Sequence, residues 1–404
     1  MALRIAVLSM LESAGEAAAM PRAFLRIGPA SLARHQLSLA LAMECQRIVC
    51  IARQMSPELV ALQGEAERAG ARFHCINGPR GLAGLVTAND EVVVAADGLL
   101  VPLDTALALL DGPHAIVVQP VEAGVAAGFE RIDLEHATAG LMRIPGRLVE
   151  RLHELPDDCD VASALTRIAL QSGIEQRLLP ATREGVRWKL VRNEADAHAA
   201  EAGWIAAHLD GGGPKSPGTA LASVIVRTFG PAILHAGSGG DMLAISAAVA
   251  VLLALGAGWF GFAATALVLC GLAWLVRRAA ALLIAVEQES LGQPPSRWPR
   301  EPLFDWVHDA VLLVILVWNT APFAGGSLGQ RAFAPLMLLC LIRLFPRLAE
   351  RAWASWLGDR LLLAILLTLA AGAGMLTQTV PLVAALLACL AILLPARLMR
   401  ITRV

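Results

Sequence analysis

The residues best suited to chemistry in this 404-residue chain are few and widely spaced. Asp305 and Asp309 stand four apart with His308 beside them, so on a helix the two carboxylates share one face. They open an apolar segment, where ionisable side chains are costly unless paired or in use. Two acids at the edge of such a segment are also compatible with simple solvation. Upstream, Arg277 and Arg278 close another apolar segment, followed by Glu287 and Glu289. In the first half, Asp97 directly follows a β-branched run, Glu91–Ala96, and precedes Gly98. Asp-Gly is a common turn pair, but in a parallel sheet that position is also where ligands bind, beyond the carboxyl ends of the strands.

Two kinds of element position these residues. In the first 240 residues, short strand-like runs (Arg4–Met10, Arg47–Ala52, Arg72–Ile76, Glu91–Ala96 and His114–Gln119) alternate with helix-like runs over Ser31–Glu44, Ser56–Gly70 and Leu103–Leu110. That alternation predicts an α/β, Rossmann-like domain with a mostly parallel sheet. Beyond His114 the pattern loosens. Helices are expected near Arg147–Glu154 and Val161–Gly173, and strands near Gln176–Leu179 and Arg187–Val191. The glycine- and proline-rich stretch from Leu209 to Gly218 reads as a linker, giving domains over 1–208 and 220–404 joined by 209–219. An amphipathic stretch, Ala220–His235, fits a helix lying at a membrane surface.

The second half is an all-α membrane domain by composition. Met242–Val276 and Leu361–Ala396 carry no charged residue over 35 and 36 positions. A span needs about 20 apolar residues, so each stretch accommodates a pair of helices. With segments near 305–323 and 332–347, the expectation is six spans, the other four near 242–257, 260–283, 361–376 and 380–397. Arg343 interrupts the fourth. In that arrangement eleven arginines fall on one side and Arg331 alone on the other, which puts the α/β domain and the C-terminus in the cytoplasm. Only 8 of the 34 acids lie after residue 240. Composition excludes a plain soluble enzyme and a disordered chain. No dense basic patch interleaved with aromatics suggests a nucleic-acid partner. The seven cysteines are scattered without a C-x-x-C pair, as expected of buried thiols in a reducing compartment, and the acidic residues Glu12 and Glu16 argue against a secretion signal.

The arrangement resembles the bifunctional proteins that fuse a sugar-nucleotide-type nucleotidyltransferase to a CDP-alcohol phosphotransferase, of which the inositol-phosphate cytidylyltransferase fusions are the nearest type. Pro21-Arg22 and the following Ala23–Gly28 look like that family's phosphate-facing segment, with Arg22 in place of a lysine. Leu11–Glu16, with one glycine and two acids, departs from the family's glycine-rich loop. The resemblance implies that Asp97 holds Mg²⁺ or Mn²⁺, and that Ala139-Gly140-Leu141 forms a sugar-side turn. In the membrane half it implies that Asp305 and Asp309 are the last two of four metal-binding acids, with Asp309 and His308 at the catalytic centre. The first two acids are missing: the segment after the second span offers only Glu287 as a metal ligand and places Arg277 and Arg278 where they would meet a phosphate. By resemblance, the protein belongs to the bacterial inner membrane. It would transfer a phospho-alcohol from a CDP-activated donor to a lipid or alcohol acceptor, with cytidine nucleotide and membrane lipid as partners and a homodimer formed through the membrane domain. Two alternatives stand beside this: a catalytically impaired relative that binds nucleotide or lipid and supports a partner enzyme, and a membrane-anchored nucleotide-sugar transferase. The latter would use a D-x-D metal site, which is not found after the fourth strand.

Overall fold

The computed structural model describes residues 2–15, 20–156, 159–180, 188–210, 216–235, 239–290, 300–320, 327–348 and 356–393. The chain divides into two compact units, the first Met1–Ile205 with Gln288–Gln293 and the second Ala206–Glu287 with Pro294–Val404. The glycine-rich part of the expected linker, 211–215, lies outside the described residues.

Among the described residues the first unit has the strands β1 (Arg4–Ser9), β2 (Arg26–Ile27), β3 (Ala30–Ser31), β4 (Arg47–Ile51), β5 (Arg72–Ile76), β6 (Glu91–Ala95), β7 (Leu99–Leu100), β8 (Ala115–Pro120), β9 (His136–Pro145), β10 (Glu175–Leu178) and β11 (Lys189–Leu190). Seven form one sheet in the order β10-β8-β9-β6-β1-β4-β5. β5, β4, β1 and β6 run parallel, and β9 is antiparallel to both neighbours. Helices cross between the parallel strands, among them α1 (Leu32–Ala42), α2 (Pro57–Arg68) and α3 (Pro79–Ala83). Ser31 and Ser56 cap α1 and α2 by accepting from the amides of Arg34 and Leu59.

Both faces of the sheet are buried, so its central strands read as continuous apolar runs rather than alternating ones. Ile5 and Val7 of β1 join Val49, Val94 and Ile116 on one face. Ala6 and Leu8 join Ile48, Cys50 and Val93 on the other. Burial pushes the Cys45 thiol up to about 12, so it stays a protonated, inert core group.

β9 is the main departure from the sequence expectation. Ala139-Gly140-Leu141 is not a turn but the middle of a ten-residue strand. Its small residues and terminal proline hide the strand pattern. Gly140 at φ +75° is a kink within it, its carbonyl accepting from the Ala96 amide at 2.8 Å. The expected helix at Arg147–Glu154 is a 3-10 helix over Gly146–Glu154.

The second unit is helical. After α4 (Leu103–Leu110), α5 (Val121–Ala126), α6 (Val161–Gln171) and α7 (Glu194–Asp210) come α8 (Pro217–His235), α9 (Gly239–Trp259), α10 (Ala263–Ser290), α11 (Arg300–Asn319), α12 (Leu328–Leu348), α13 (Arg360–Gly372) and α14 (Leu376–Leu393). Three helices among the described residues, not six, are long and apolar enough to cross a membrane: Gly240–Trp259, Ala263–Val286 and Leu328–Phe345. The reasons are physical. α11 carries Asp305 and Asp309 in its first half. α13 has 13 residues and rises only about 20 Å, short of the ~30 Å apolar core of a bilayer. The apolar helix Leu376–Ile392 is also shorter than a full span.

Gly98 ties the sheet to its flanking ribbon. It sits at φ +71°, and a Cβ there would lie 2.4 Å from the Val191 carbonyl oxygen and 3.0 Å from Arg22. Gly98→Ala combines a left-handed backbone with a backbone clash, and should lower stability by about 1–3 kcal/mol or more. Thermal unfolding of the full chain in detergent reads this; an unchanged midpoint would contradict the geometry.

Candidate functional site

In the first unit the candidate site lies where the strand order reverses. β4 packs on one side of β1 and β6 on the other, and in open α/β sheets the crevice beyond the carboxyl ends at such a point is the usual ligand position. Asp97 follows β6 there and is 3% exposed. One carboxylate oxygen, Oδ2, accepts from the Glu12 backbone amide at 2.9 Å. The other, Oδ1, has Arg22 Nε at 3.4 Å, yet neither atom makes a hydrogen bond. Arg22 arrives on the segment after β1, anchored by its own amide donating to Glu12 O at 2.9 Å. Gln36 of α1 fixes the other wall by donating to the carbonyls of Ala96 and Leu99 at 2.9 and 3.0 Å.

A cleft of about 270 Å³ opens on this pair, with Glu12, Glu130, Asp160 and Arg192 also on its walls. Burial raises the Asp97 carboxyl to about 6, against the opposing pull of the Glu12 amide and Arg22. Desolvation therefore outweighs the charge stabilisation that the protein supplies. A buried carboxylate with one oxygen that makes no hydrogen bond, beside a guanidinium in a cleft, is the arrangement expected of a ligand site.

The second unit contains the other predicted residues. Asp309 is 6% exposed, and two arginines hold it. Arg343 Nε donates to Oδ2 at 2.6 Å, and Arg360 donates through Nε to Oδ1 at 2.7 Å and through a terminal nitrogen to Oδ2 at 2.9 Å. Arg343 also donates to the Asp305 carbonyl at 2.8 Å and stacks over the Trp306 ring at 3.5 Å. His308 is buried, its Nε2 3.0 Å from the Cys270 carbonyl oxygen. Its Nδ1 lies 3.5 Å from Asp309 Oδ1. The Asp305 side chain is 42% exposed, with Arg360 at 3.9 Å. The side chain of Glu287 lies outside the described residues.

These donors do not fit Mg²⁺ or Mn²⁺ at Asp309. Both of its oxygens already accept guanidinium N–H groups, and a hard divalent ion competes poorly beside two fixed cations. Among the described residues, no three His, Cys, Asp or Glu side chains gather as a metal-holding group. The place expected for a metal at Asp309 is thus taken by Arg343 and Arg360, and His308 is held by the Cys270 carbonyl with its Nδ1 making no hydrogen bond. Arg277 and Arg278 line a separate cleft of about 200 Å³ with Asp305, Asp359 and Arg360. Sequence reasoning missed Arg360 and the role of Arg343. The signal was present: an arginine inside an apolar segment calls for a buried acid nearby.

No family model matches the chain, and no curated protein matches it. Among solved structures, the chain is similar to a protein from Bacillus anthracis assigned as a glucose-1-phosphate thymidylyltransferase, with 10% identity and a TM-score of 0.38 over 49% of this chain and 94% of that one. It is also similar to the inositol-1-phosphate CTP transferase from T. maritima, with 13% identity and a TM-score of 0.37 over 50% of this chain and 95% of that one.

The Asp97 environment makes a pH-dependent prediction. Folding raises this carboxyl from its ordinary 3.8 to about 6, so the native chain holds the proton more tightly than the unfolded one. Its contribution to stability falls as pH rises from about 4 to 6 and is level above. Asp97→Asn should therefore unfold at a higher temperature than the native chain at pH 7 and lose that advantage towards pH 4. An advantage independent of pH, or none at pH 7, would contradict this environment.

Proposed function

We propose that this chain is a membrane-anchored transferase of phospholipid or phosphodiester head-group synthesis whose α/β unit binds a cytidine nucleotide in the Asp97 cleft. The observation that carries this reading is Asp97 itself: buried at the reversal of the sheet, with one oxygen unengaged and Arg22 beside it. Arg22 would meet the nucleotide phosphates and release Asp97 from its present contact. Asp97 Oδ1 fits a divalent ion of the kind that arrives already held by phosphates and needs only one or two protein carboxylates. Such an ion would neutralise phosphate charge there. Gly140, at the kink in β9, lines the same cleft.

The membrane assignment rests on the three helices among the described residues that are long and apolar enough to span a bilayer. A second reading has its own support. With Asp309 held by two arginines, the membrane unit lacks the metal-binding acids that a CDP-alcohol reaction would use. The chain would then bind nucleotide and support a partner enzyme without turning it over.

Titration of CTP with Mg²⁺ into the purified full chain in detergent tests both readings. We expect binding that Asp97→Ala and Arg22→Ala each weaken at least about tenfold, equivalent to about 1.4 kcal/mol. Release of pyrophosphate in the presence of a phospho-alcohol supports the transferase. Binding without turnover supports the second reading. Absence of any cytidine nucleotide binding overturns both.

A further inference from the structure

The second unit contains a buried arginine for which the described residues supply no carboxylate partner. Arg277, on α10, is 9% exposed. Its guanidinium lies 5.6 Å from the centroid of the Phe304 ring, and among the described residues no carboxylate pairs with it. The acids nearby are committed elsewhere. Asp359 caps α13 by accepting from Leu361 at 2.9 Å, and its other oxygen accepts from the Gly218 amide at 2.6 Å. Asp309 takes Arg343 and Arg360. Asp305 points at Arg360 from 3.9 Å and is largely solvated. An aromatic face at 5.6 Å compensates a buried guanidinium only weakly, and a buried charge without a partner is costly.

Arg277 lines the 200 Å³ cleft together with Arg278 and Arg360. The hydroxyls of Ser216 and Thr219, 3.0 Å apart at the start of α8, stand on the same wall. Trp274, one turn before Arg278, adds an apolar surface. Guanidinium forks and hydroxyls on one wall together make a receptor for a tetrahedral oxyanion. The apolar wall suits an organic substituent. The cleft carries more fixed positive than negative charge, the opposite of what a divalent cation needs.

We infer that this cleft binds the phosphate group of a phosphomonoester or phosphodiester directly through Arg277, without a metal ion. The ligand supplies the anion that the described residues do not. The phosphate belongs to a lipid head group or to a soluble phosphate compound, and the two sources are separable by experiment. This inference is independent of nucleotide binding by the α/β unit.

The test is calorimetric titration of the full chain in detergent containing EDTA, with two probes: inorganic phosphate and dihexanoyl phosphatidate. The expected result is binding of at least one probe, weakened at least tenfold in Arg277→Gln. Binding of both probes assigns the site to the phosphate group alone. Binding of phosphatidate only assigns it to a lipid. Thermal midpoints give a second measure that does not depend on the variant's activity. Arg277→Gln removes an unbalanced charge, so without ligand it should unfold no lower than the native chain. The native midpoint should rise with probe in EDTA and the variant's should not. No binding by either probe, binding that requires Mg²⁺, or equal binding by Arg277→Gln would overturn the inference.

Discussion

A carboxylate taken out of water must recover its lost hydration from cations or N–H donors, or its ionised form becomes unfavourable. Two buried aspartates meet that demand in opposite ways. Asp309 recovers it fully, with both oxygens on guanidinium nitrogens at 2.6 to 2.9 Å. The result is a structural joint linking α11, α12 and α13. Asp97 recovers it incompletely, with one backbone amide and a guanidinium at 3.4 Å that makes no hydrogen bond. The satisfied carboxylate holds the helices together. The unsatisfied one stands open in a cleft, where a ligand can complete it.

The same contrast separates the arginines. Arg343 and Arg360 are engaged with acid; among the described residues Arg277 is not. Proteins commonly carry such local imbalance at functional positions and offset it by good packing elsewhere. Here the compensating order is visible in the α/β unit, where strands of one sheet bury apolar residues on both faces. It is visible in the membrane unit in the packing of Leu338, Ile342 and Phe345 of α12 against the core.

Much of the α/β unit was legible in the sequence, because β1, β4, β5 and β6 are short β-branched runs bounded by helix-like segments. β9 was not, because Ala137, Ala139 and Gly140 carry no strand signature and the strand is defined by its neighbours. The pairing of Arg22 with Asp97 was also hidden, since 75 positions separate them and only the fold brings them together. In the membrane half, the helices were legible from uncharged runs, but their lengths were not. The i, i+4 spacing of Asp305 and Asp309 located a real feature on α11, yet spacing alone does not distinguish a carboxylate awaiting a metal from one awaiting an arginine. Arg343, at an otherwise apolar position, carried the distinguishing signal, and the structure shows its use: it donates to Asp309.

The central claim is that the Asp97 cleft is a nucleotide site, and its most direct test is an experimental structure of the full chain with CTP and Mg²⁺ bound. The account predicts nucleotide density beyond the carboxyl ends of β1 and β6, with the phosphates within hydrogen-bonding distance of Arg22 and Asp97 turned from its present contact towards the bound group. A nucleotide seated elsewhere in the α/β unit, with the Arg22–Asp97 contact intact, would contradict it.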